Sequence, residues 1–246
     1  MRFAIISDVH GNYVALQAVL SDIRARGGVD QMVCLGDVVG YGPQPRECVI
    51  RIQLERIKTV LGNHEAAVLD SERWARNFNQ IAKEAVRFTA LALQQPQLDY
   101  LDGLPDCLWD EDHGLAFTHA SFSHPATFFY VEGSVGAGIE LKRLPHDDLR
   151  VFFVGHTHEP QVFGERSGSF YHQTELVLSG DERFLINVGS VGQPRDDDPR
   201  ACYGLLDTSD WSFSLPRVEY DVAAVVRQIA ELGLPSELGQ RLLIGY

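Results

Sequence analysis

Short apolar runs that end in polar residues recur along the chain. The first run, Phe3 to Ile6, is followed within four residues by Asp8 and His10. A run this short and apolar is typical of a strand buried on both faces, with its polar residues at the carboxyl end. Because alternate strand positions point the same way, Asp8 and His10 can aim an oxygen and a nitrogen at one point. For this fragment alone, a capping aspartate beside a solvated histidine is the better interpretation. A metal site becomes the better interpretation only if the same pattern occurs again along the chain.

The pattern recurs four times, and helical patterns separate the early runs. Asn12 is a plausible N-cap for a helix that ends at Gly27, and an amphipathic segment covers Arg46 to Leu54. A longer helical pattern covers Asn77 to Gln94 and is expected to stop at Pro96. The later apolar runs and the polar residues that follow them are Met32 to Leu35 before Asp37, Ile57 to Leu61 before Asn63 and His64, Leu115 to Thr118 before His119, and Val151 to Val154 before His156 and His158.

Strands alternate with helices early in the chain, whereas short strands follow one another late, before a final helix over residues 222–232. This order predicts an α/β (α+β) fold: a four-layer α-β-β-α sandwich of two mixed sheets with helices outside. We expect a single domain over residues 1–246. The sequence also allows a helical cap at residues 75–102.

The composition limits the partners of this fold. A net charge of −13 disfavours duplex nucleic acid and acidic membrane surfaces, which need basic patches. A small phosphate ester stays compatible, because bound divalent cations would reverse the local field. The four scattered cysteines predict reduced thiols, and the lack of a secretory or membrane-spanning pattern predicts a cytoplasmic protein. A homo-oligomer is compatible with the sequence.

The residues at the strand ends are all oxygen or nitrogen donors, and they are too many for one ion. Two ions about 3.5–4 Å apart form a common arrangement for displacement at phosphorus. Taken singly, most of these residues would be caps, turn residues or satisfied histidines, so the metal prediction depends on the whole set. The predicted ligands are Asp8, His10, Asp37, Asn63, His119, His156 and His158.

The motifs D-x-H, G-D, G-N-H-E, a later histidine and G-H-x-H occur here in an order and spacing that resemble the calcineurin-like metallophosphoesterase superfamily, over roughly residues 1–190. The pattern looks most like the YfcE-type phosphodiesterase branch. The resemblance implies that Asp37 bridges two ions and that His64 contacts the phosphate and protonates the leaving alkoxide. It further implies that Asp8, His10, Asp37 and His158 bind one ion, and that Asp37, Asn63, His119 and His156 bind the other.

The second motif departs from part of the superfamily. Protein phosphatases and symmetrical dinucleoside tetraphosphatases resemble G-D-x-V-D-R-G, whereas this chain has Gly36 to Gly42 as G-D-V-V-G-Y-G. The carboxylate that would orient His64 and the arginine that would clamp phosphate are both missing, which disfavours those two activities. A milder departure is Thr118 before His119, where many members have glycine.

Candidates for substrate binding are Arg195, Tyr41 and Asn12. Arg195 could replace the missing clamp as a bidentate phosphate ligand. The alternative, which is equally compatible with the sequence, is a surface arginine that pairs with an acid in the segment 196–198. Four histidines outside the motifs are interpreted as solvated or locally bonded: His113, His124, His146 and His172.

The sequence therefore predicts an enzyme with two divalent metal ions, of which Mn, Fe, Zn, Ni and Co all suit the donors. It would hydrolyse phosphate diesters or monoesters by in-line attack of a metal-bridging hydroxide, with Asp37 and His64 as catalytic residues. The alternative is a non-catalytic scaffold on the same fold, like the retromer scaffold subunit. Retention of His64 and of all seven donors favours the enzyme.

Overall fold

The computed structural model describes residues 1–144, 148–170, 175–178 and 181–246, so His146 and His172 lie outside the described residues. Within those residues, the strands form two six-stranded mixed sheets and one small pair. The strands are β1 (Arg2–Ile6), β2 (Gln31–Cys34), β3 (Lys58–Thr59), β4 (Cys107–Asp110), β5 (Leu115–Thr118), β6 (Val151–Val154), β7 (Gln161–Gly164), β8 (Gly168–Ser169), β9 (Glu175–Val177), β10 (Phe184–Asn187), β11 (Ala201–Cys202), β12 (Gly204–Asp207), β13 (Ser212–Ser214) and β14 (Arg217–Val218).

The helices cover the outer faces of the two large sheets. They are α1 (Tyr13–Ala25), α2 (Pro45–Leu54), α3 (Asn63–Leu69), α4 (Ser71–Trp74), α5 (Gln80–Ala92), α6 (Gln95–Asp102), α7 (Gly133–Arg143), α8 (Val222–Glu231) and α9 (Ser236–Ile244). The first sheet has the order β3-β2-β1-β12-β13-β9, the second has the order β4-β5-β6-β10-β7-β8, and β11 pairs with β14.

The two-residue period of the strands divides the core into layers. In β1, Phe3 and Ile5 belong to the cluster between the sheets, whereas Ala4 and Ile6 belong to the cluster under α1 and α2. The second sheet buries its outer face in the same way, against α7. The rings of Phe117 and Phe153 are stacked in the middle layer, with centroids 5.4 Å apart. The predicted four-layer α-β-β-α sandwich is therefore confirmed.

Parallel pairing gathers the carboxyl ends of the motif-bearing strands. β1 and β2 are parallel, in register from Phe3 opposite Gln31 to Ile6 opposite Cys34. In the second sheet, β6 is parallel to both β5 and β10. Ligands of open α/β sheets collect at this edge. The pairing of the strands alone thus places the predicted donors of each sheet at one edge of that sheet.

Several predicted boundaries are wrong, for local reasons. The predicted helix ends at Ala92, before Pro96, and a new helix, α6, begins at Gln95. Pro96 lies in the first turn of α6, where its missing backbone N–H breaks no hydrogen bond. The sequence prediction also missed α7, which has a weak apolar pattern, and α9. The segment predicted as a cap contains α5 and α6, and Val86 and Leu101 on these helices join the core under α1 and α2. A separate cap at residues 75–102 stays a prediction.

Two further observations bear on the setting of the protein. All four cysteines are free thiols, and only Cys107 among them is not fully buried. Among the helices of the described segments, none has both the length and the hydropathy of a membrane-spanning helix. Localisation in the cytoplasm stays a prediction.

The layered core allows a matched test of packing. Ile186 in β10 is fully buried between the sheets, whereas the side chain of Ile244 at the end of α9 is 60% exposed. We expect Ile186→Ala to lower the free energy of unfolding by about 2–5 kcal/mol, because it removes buried methyl groups and leaves a cavity. Ile244→Ala should cost less than about 1 kcal/mol. Urea unfolding followed by circular dichroism measures both, and equal losses would contradict the assignment of the inter-sheet core.

Candidate metal centre

Most of the predicted donors lie where a strand ends and the backbone turns into the left-handed region. The φ angles are 53° at Asp8, 48° at His10, 51° at Asp37, 68° at His156 and 64° at His158. Each non-glycine residue held in this region costs about 1–3 kcal/mol, so the surrounding structure must hold it there. Such local strain clusters at functional sites. These turns change the direction of the chain directly after β1, β2 and β6 and bring the donors inward.

The first group of donors consists of Asp8, His10 and His158, all at most 2% exposed. Asp8 Oδ1 lies 3.2 Å from His158 Nε2 and 3.7 Å from His10 Nε2, and the two Nε2 atoms are 3.0 Å apart. Burial alone would raise the pKa of Asp8, but His158 holds it below its usual range. Burial, followed by the charge of His158, lowers the pKa of His10.

The second group consists of Asp37, His119 and His156, with Asn63 beside them. His119 Nε2 lies 2.9 Å from Asn63 Oδ1, 3.1 Å from His156 Nδ1 and 3.3 Å from Asp37 Oδ2. Asp37 Oδ2 is also 3.7 Å from His10 Nε2 in the first group. The structure therefore brings all seven predicted donors together, as two groups that meet at Asp37. Metal binding by these residues stays a prediction.

Backbone carbonyls fix the tautomers of three of these histidines. A carbonyl oxygen can only accept a hydrogen bond, so each Nδ1 carries the proton and donates it. In the neutral ring, each Nε2 then presents a lone pair to the cluster. The acceptors are Val39 O for His10 at 3.1 Å, Leu35 O for His119 at 2.7 Å, and Gln193 O for His158 at 2.5 Å.

The donors fit divalent cations on the evidence of their own contacts. The lone pairs of His10 and His158 face each other, which is repulsive without a positive charge between them. Among the described residues, Asp8 Oδ1 is buried and has no hydrogen-bond partner. Burial of unpaired polar atoms costs several kcal/mol unless a cation binds them. Oxygen and imidazole donors suit the first-row divalent metals without selecting one.

The two groups share a strong local field. Burial alone would lower the pKa of His119, but the Asp37 carboxylate raises it to about 9. Burial would likewise raise the pKa of Asp37, but His119 and His64 hold it well below its usual range. Burial lowers the pKa of His64 to about 4 and that of His156 to about 3. Asp37 is therefore a carboxylate in this site, as a ligand must be.

His64 lies on the first turn of α3, beside the donors. Its backbone N–H donates to Asp37 Oδ1 at 2.9 Å, while its Nδ1 is buried without a partner in the described structure. A Cβ added at Gly40 would lie only 2.3 Å from that Nδ1. The glycine that stands where other members have a carboxylate is therefore required by the packing of this ring. The Tyr41 and Phe78 rings complete its surroundings, at 4.5 and 5.1 Å between centroids.

Glu65 is a site residue to which the sequence analysis gave no role. It is fully buried and accepts hydrogen bonds from the backbone N–H groups of Asp37, Val39 and Gly62 at 2.7, 3.0 and 2.9 Å. Burial, and then the charge of Asp37, raise its pKa to about 7. A signal was present, because a glutamate three residues after a helix N-cap is typical of a capping box. Glu65 thus connects the second motif to the third.

Tyr130 was also missed, and no motif would have found it. Its ring stacks on that of His156, with centroids 4.0 Å apart and planes at 27°. The residue lies in the loop that precedes α7, in a stretch without a periodic pattern. Only the packing of that loop on the G-H-x-H turn brings Tyr130 to the site.

The proposed substrate residues have different surroundings. Asn12 Oδ1 accepts from Ala15 N at 3.1 Å and its Nδ2 donates to Gly192 O at 3.0 Å, so the side chain caps α1 and holds the 192 turn. Tyr41 packs against the His10 ring at 4.6 Å between centroids. Substrate binding by Asn12 and Tyr41 stays a prediction.

Arg195 does not make the surface ion pair that was its alternative interpretation. Within the described residues, Asp196 pairs with Arg217 and Asp198 pairs with Arg200 at 2.6 Å, and Arg195 forms no ion pair. Its Nη2 donates to Gln193 Oε1 at 3.2 Å, and its buried Nε has no partner in the same set. The guanidinium therefore keeps donors available at the edge of the site.

Comparisons with known proteins agree with this geometry. Residues 1–211 match the model of the calcineurin-like phosphoesterase superfamily domain. The chain is 38% identical to the uncharacterized protein MJ0912 of Methanocaldococcus jannaschii over 244 residues, which cover 98% of this chain and 97% of that protein. It is 25% identical to the phosphodiesterase YfcE of Escherichia coli over 211 residues, 84% of this chain and 88% of that one, which confirms the YfcE-type resemblance.

A solved structure matches over the whole length. The crystal structure of a metallophosphoesterase from Sphaerobacter thermophilus superposes with a TM-score of 0.85 at 38% identity, and the match covers 100% of this chain and 99% of that one. The fold described above is therefore that of an experimentally observed metallophosphoesterase.

Glu65 provides a test of how the donors are held. Glu65→Gln keeps the size of the side chain but replaces one acceptor oxygen with an NH₂ group. That group is itself a donor, so it cannot accept a hydrogen bond from the backbone N–H groups it faces. We expect a loss of about 1–3 kcal/mol in the free energy of unfolding, measured by urea unfolding in EDTA so that metal does not contribute. The exposed Glu72→Gln on α4 is the matched control and should change stability by less than about 0.5 kcal/mol. Equal effects of the two changes would show that the three hydrogen bonds do not matter.

Proposed function

The chain belongs to the calcineurin-like phosphoesterase superfamily, and on that premise we propose that it is a dinuclear metal-dependent hydrolase of small phosphate diesters or monoesters. The observation that carries the proposal is the pair of buried donor groups that meet at Asp37. Seven donors in two groups on either side of this carboxylate are more than one cation needs, which supports two ions. Retention of His64 and of the complete donor set favours hydrolysis over a scaffold function.

In the proposed assignment, the two groups hold one ion each. Bound there, the ions would supply an activated water molecule and neutralise the charge that develops on the phosphoryl oxygens. The protein residues set the geometry: Asp37 belongs to both ligand sets, and the carbonyl contacts of the histidines keep each Nε2 directed inward. The ligands of one ion would be Asp8, His10, Asp37 and His158, and those of the other Asp37, Asn63, His119 and His156.

His64 is proposed to deliver a proton to the leaving oxygen, which requires the negative charge of the bound phosphate to raise the pKa of this imidazole from the value of about 4 that burial gives it. Its backbone N–H donates to Asp37 at the start of α3, and the rings of His10, Tyr41 and Phe78 pack around its imidazole. A positioned group of this kind contributes about 10²–10⁴-fold to the rate when the leaving group is basic.

Arg195 is proposed to bind the phosphate oxygens in place of the missing clamp. Tyr41 occupies the motif position where that arginine would stand, and Arg195 reaches the site from the segment after β10 instead. Arg195 forms no ion pair within the described residues, and its buried Nε has no hydrogen-bond partner there, so an anion would not have to displace a carboxylate from this guanidinium.

Asp37→Asn tests the dinuclear assignment. The amide keeps the shape but loses the charge that both ions share, so we expect the protein to bind fewer divalent ions and to lose at least about a hundredfold in kcat/KM. Metal content after Mn²⁺ loading and desalting, together with hydrolysis of bis(p-nitrophenyl) phosphate, measures both effects. Asp210→Asn, at a remote surface turn, is the control and should match the unmodified protein. Full metal content and activity in the Asp37 variant would refute the assignment.

His64→Ala tests the proposed proton donor. We expect the largest loss, about 10²–10⁴-fold in kcat, for alkyl esters, whose leaving alkoxide needs a proton. The loss should be small for p-nitrophenyl esters, because p-nitrophenolate leaves without protonation. A series of aryl and alkyl phosphodiesters gives the dependence of kcat on leaving-group pKa. A uniform loss across the series would leave His64 a positioning residue and not an acid.

A further inference from the structure

A cleft of about 700 Å³ opens directly beside the candidate metal centre. Tyr130, one of its lining residues, stacks on the His156 ring, and the backbone N–H of Arg195, another, donates to His158 O at 3.4 Å. A group attached to a phosphate at the metal centre could therefore extend into this space.

The charges that line the cleft are divided. Arg195 lies next to the G-H-x-H turn and forms no ion pair within the described residues, whereas the charge of Arg217 is balanced by Asp196. Glu132 and Glu159 are exposed, and neither forms an ion pair with any residue that the structure describes. One cation therefore adjoins the metal centre, and two exposed carboxylates without an ion pair in the described structure line the same cleft.

The remaining walls of the cleft are apolar and aromatic. Tyr130 and Phe170 contribute rings, and Val162 and Leu215 contribute buried aliphatic surface. Aromatic faces combined with carboxylates are the surroundings that bind ammonium groups, because both attract positive charge and the rings do not compete for hydrogen bonds. A further phosphate near Glu132 and Glu159 would be repelled by two carboxylates that have no ion-pair partner in the described structure.

We propose that this cleft binds the alcohol portion of the substrate and selects a positively charged one, so that the preferred substrates are phosphate esters of an ammonium alcohol. The phosphate would lie at the metal centre and Arg195, with the ammonium group between the aromatic rings and the two carboxylates. This inference rests on the proposed hydrolase function and adds a substrate class to it. It also disfavours esters that carry additional phosphates.

The first test compares two p-nitrophenyl phosphodiesters on the Mn²⁺-loaded protein. One carries choline, and the other carries 3,3-dimethylbutanol, which has the same shape without the charge. We expect kcat/KM to favour the choline ester by about tenfold at low salt, and the preference to shrink at 0.5 M NaCl because the carboxylates are exposed. In Glu132→Gln/Glu159→Gln, the ratio should fall toward one. In Glu72→Gln/Glu84→Gln, which changes two remote exposed glutamates, the ratio should stay as in the unmodified protein.

The second test measures binding without turnover. Isothermal titration calorimetry of the same proteins with phosphocholine and with 3,3-dimethylbutyl phosphate gives the affinity ratio directly. A choline preference that only the Glu132/Glu159 variant loses would support the proposed cleft. If, in addition, neither diester were hydrolysed, the proposed hydrolase function would fail while the cleft proposal would stand. Hydrolysis with no preference in either assay would overturn the cleft and leave the hydrolase function standing. Without hydrolysis or preference, both proposals fall.

Discussion

The carboxylate of Asp37 is the contact on which the site depends, because both donor groups are arranged around it. One oxygen faces His10 and His119 from between the two groups, and the other accepts the backbone N–H of His64. A fully buried carboxylate beside several imidazoles needs positive charge nearby to remain ionised. The same residue therefore connects the two sheets of the sandwich electrostatically and defines where cations would bind.

Holding these donors requires the rest of the fold to support strained turns. Asp37 after β2 and the candidate donors after β1 and β6 adopt left-handed backbone angles, which are unfavourable for residues other than glycine. The support comes from hydrogen bonds that cross between motifs: Glu65 accepts from three backbone groups, and Ser190 Oγ donates to Asp8 O at 2.8 Å. Small residues allow the close approach, since a Cβ at Gly62 would lie 2.2 Å from Asp37 Oδ1. The turns that carry the candidate donors are thus held by Glu65, Ser190 and Gly62, none of which is itself a candidate donor.

The departure of the second motif has a structural counterpart. Gly40 leaves no room for an orienting carboxylate beside His64, and Tyr41 packs its ring where a clamp would otherwise begin. The available guanidinium is instead that of Arg195, which borders the cleft. Phosphate and the group attached to it would therefore be recognised mainly from the 156–159 and 195–196 segments. This arrangement connects the proposed reaction with the proposed selectivity.

The sequence by itself determined the sandwich and the candidate donors, because a buried strand that ends in Asp8 and His10 is encoded by adjacent residues. The same holds for Asp37 after β2 and for the capping-box position of Glu65, a local signal that was available. Tertiary structure alone decided that Tyr130 covers His156 and that a cleft opens beside it. Those contacts join segments far apart in the chain, and they depend on how irregular loops pack, for which local sequence patterns carry no periodic signal.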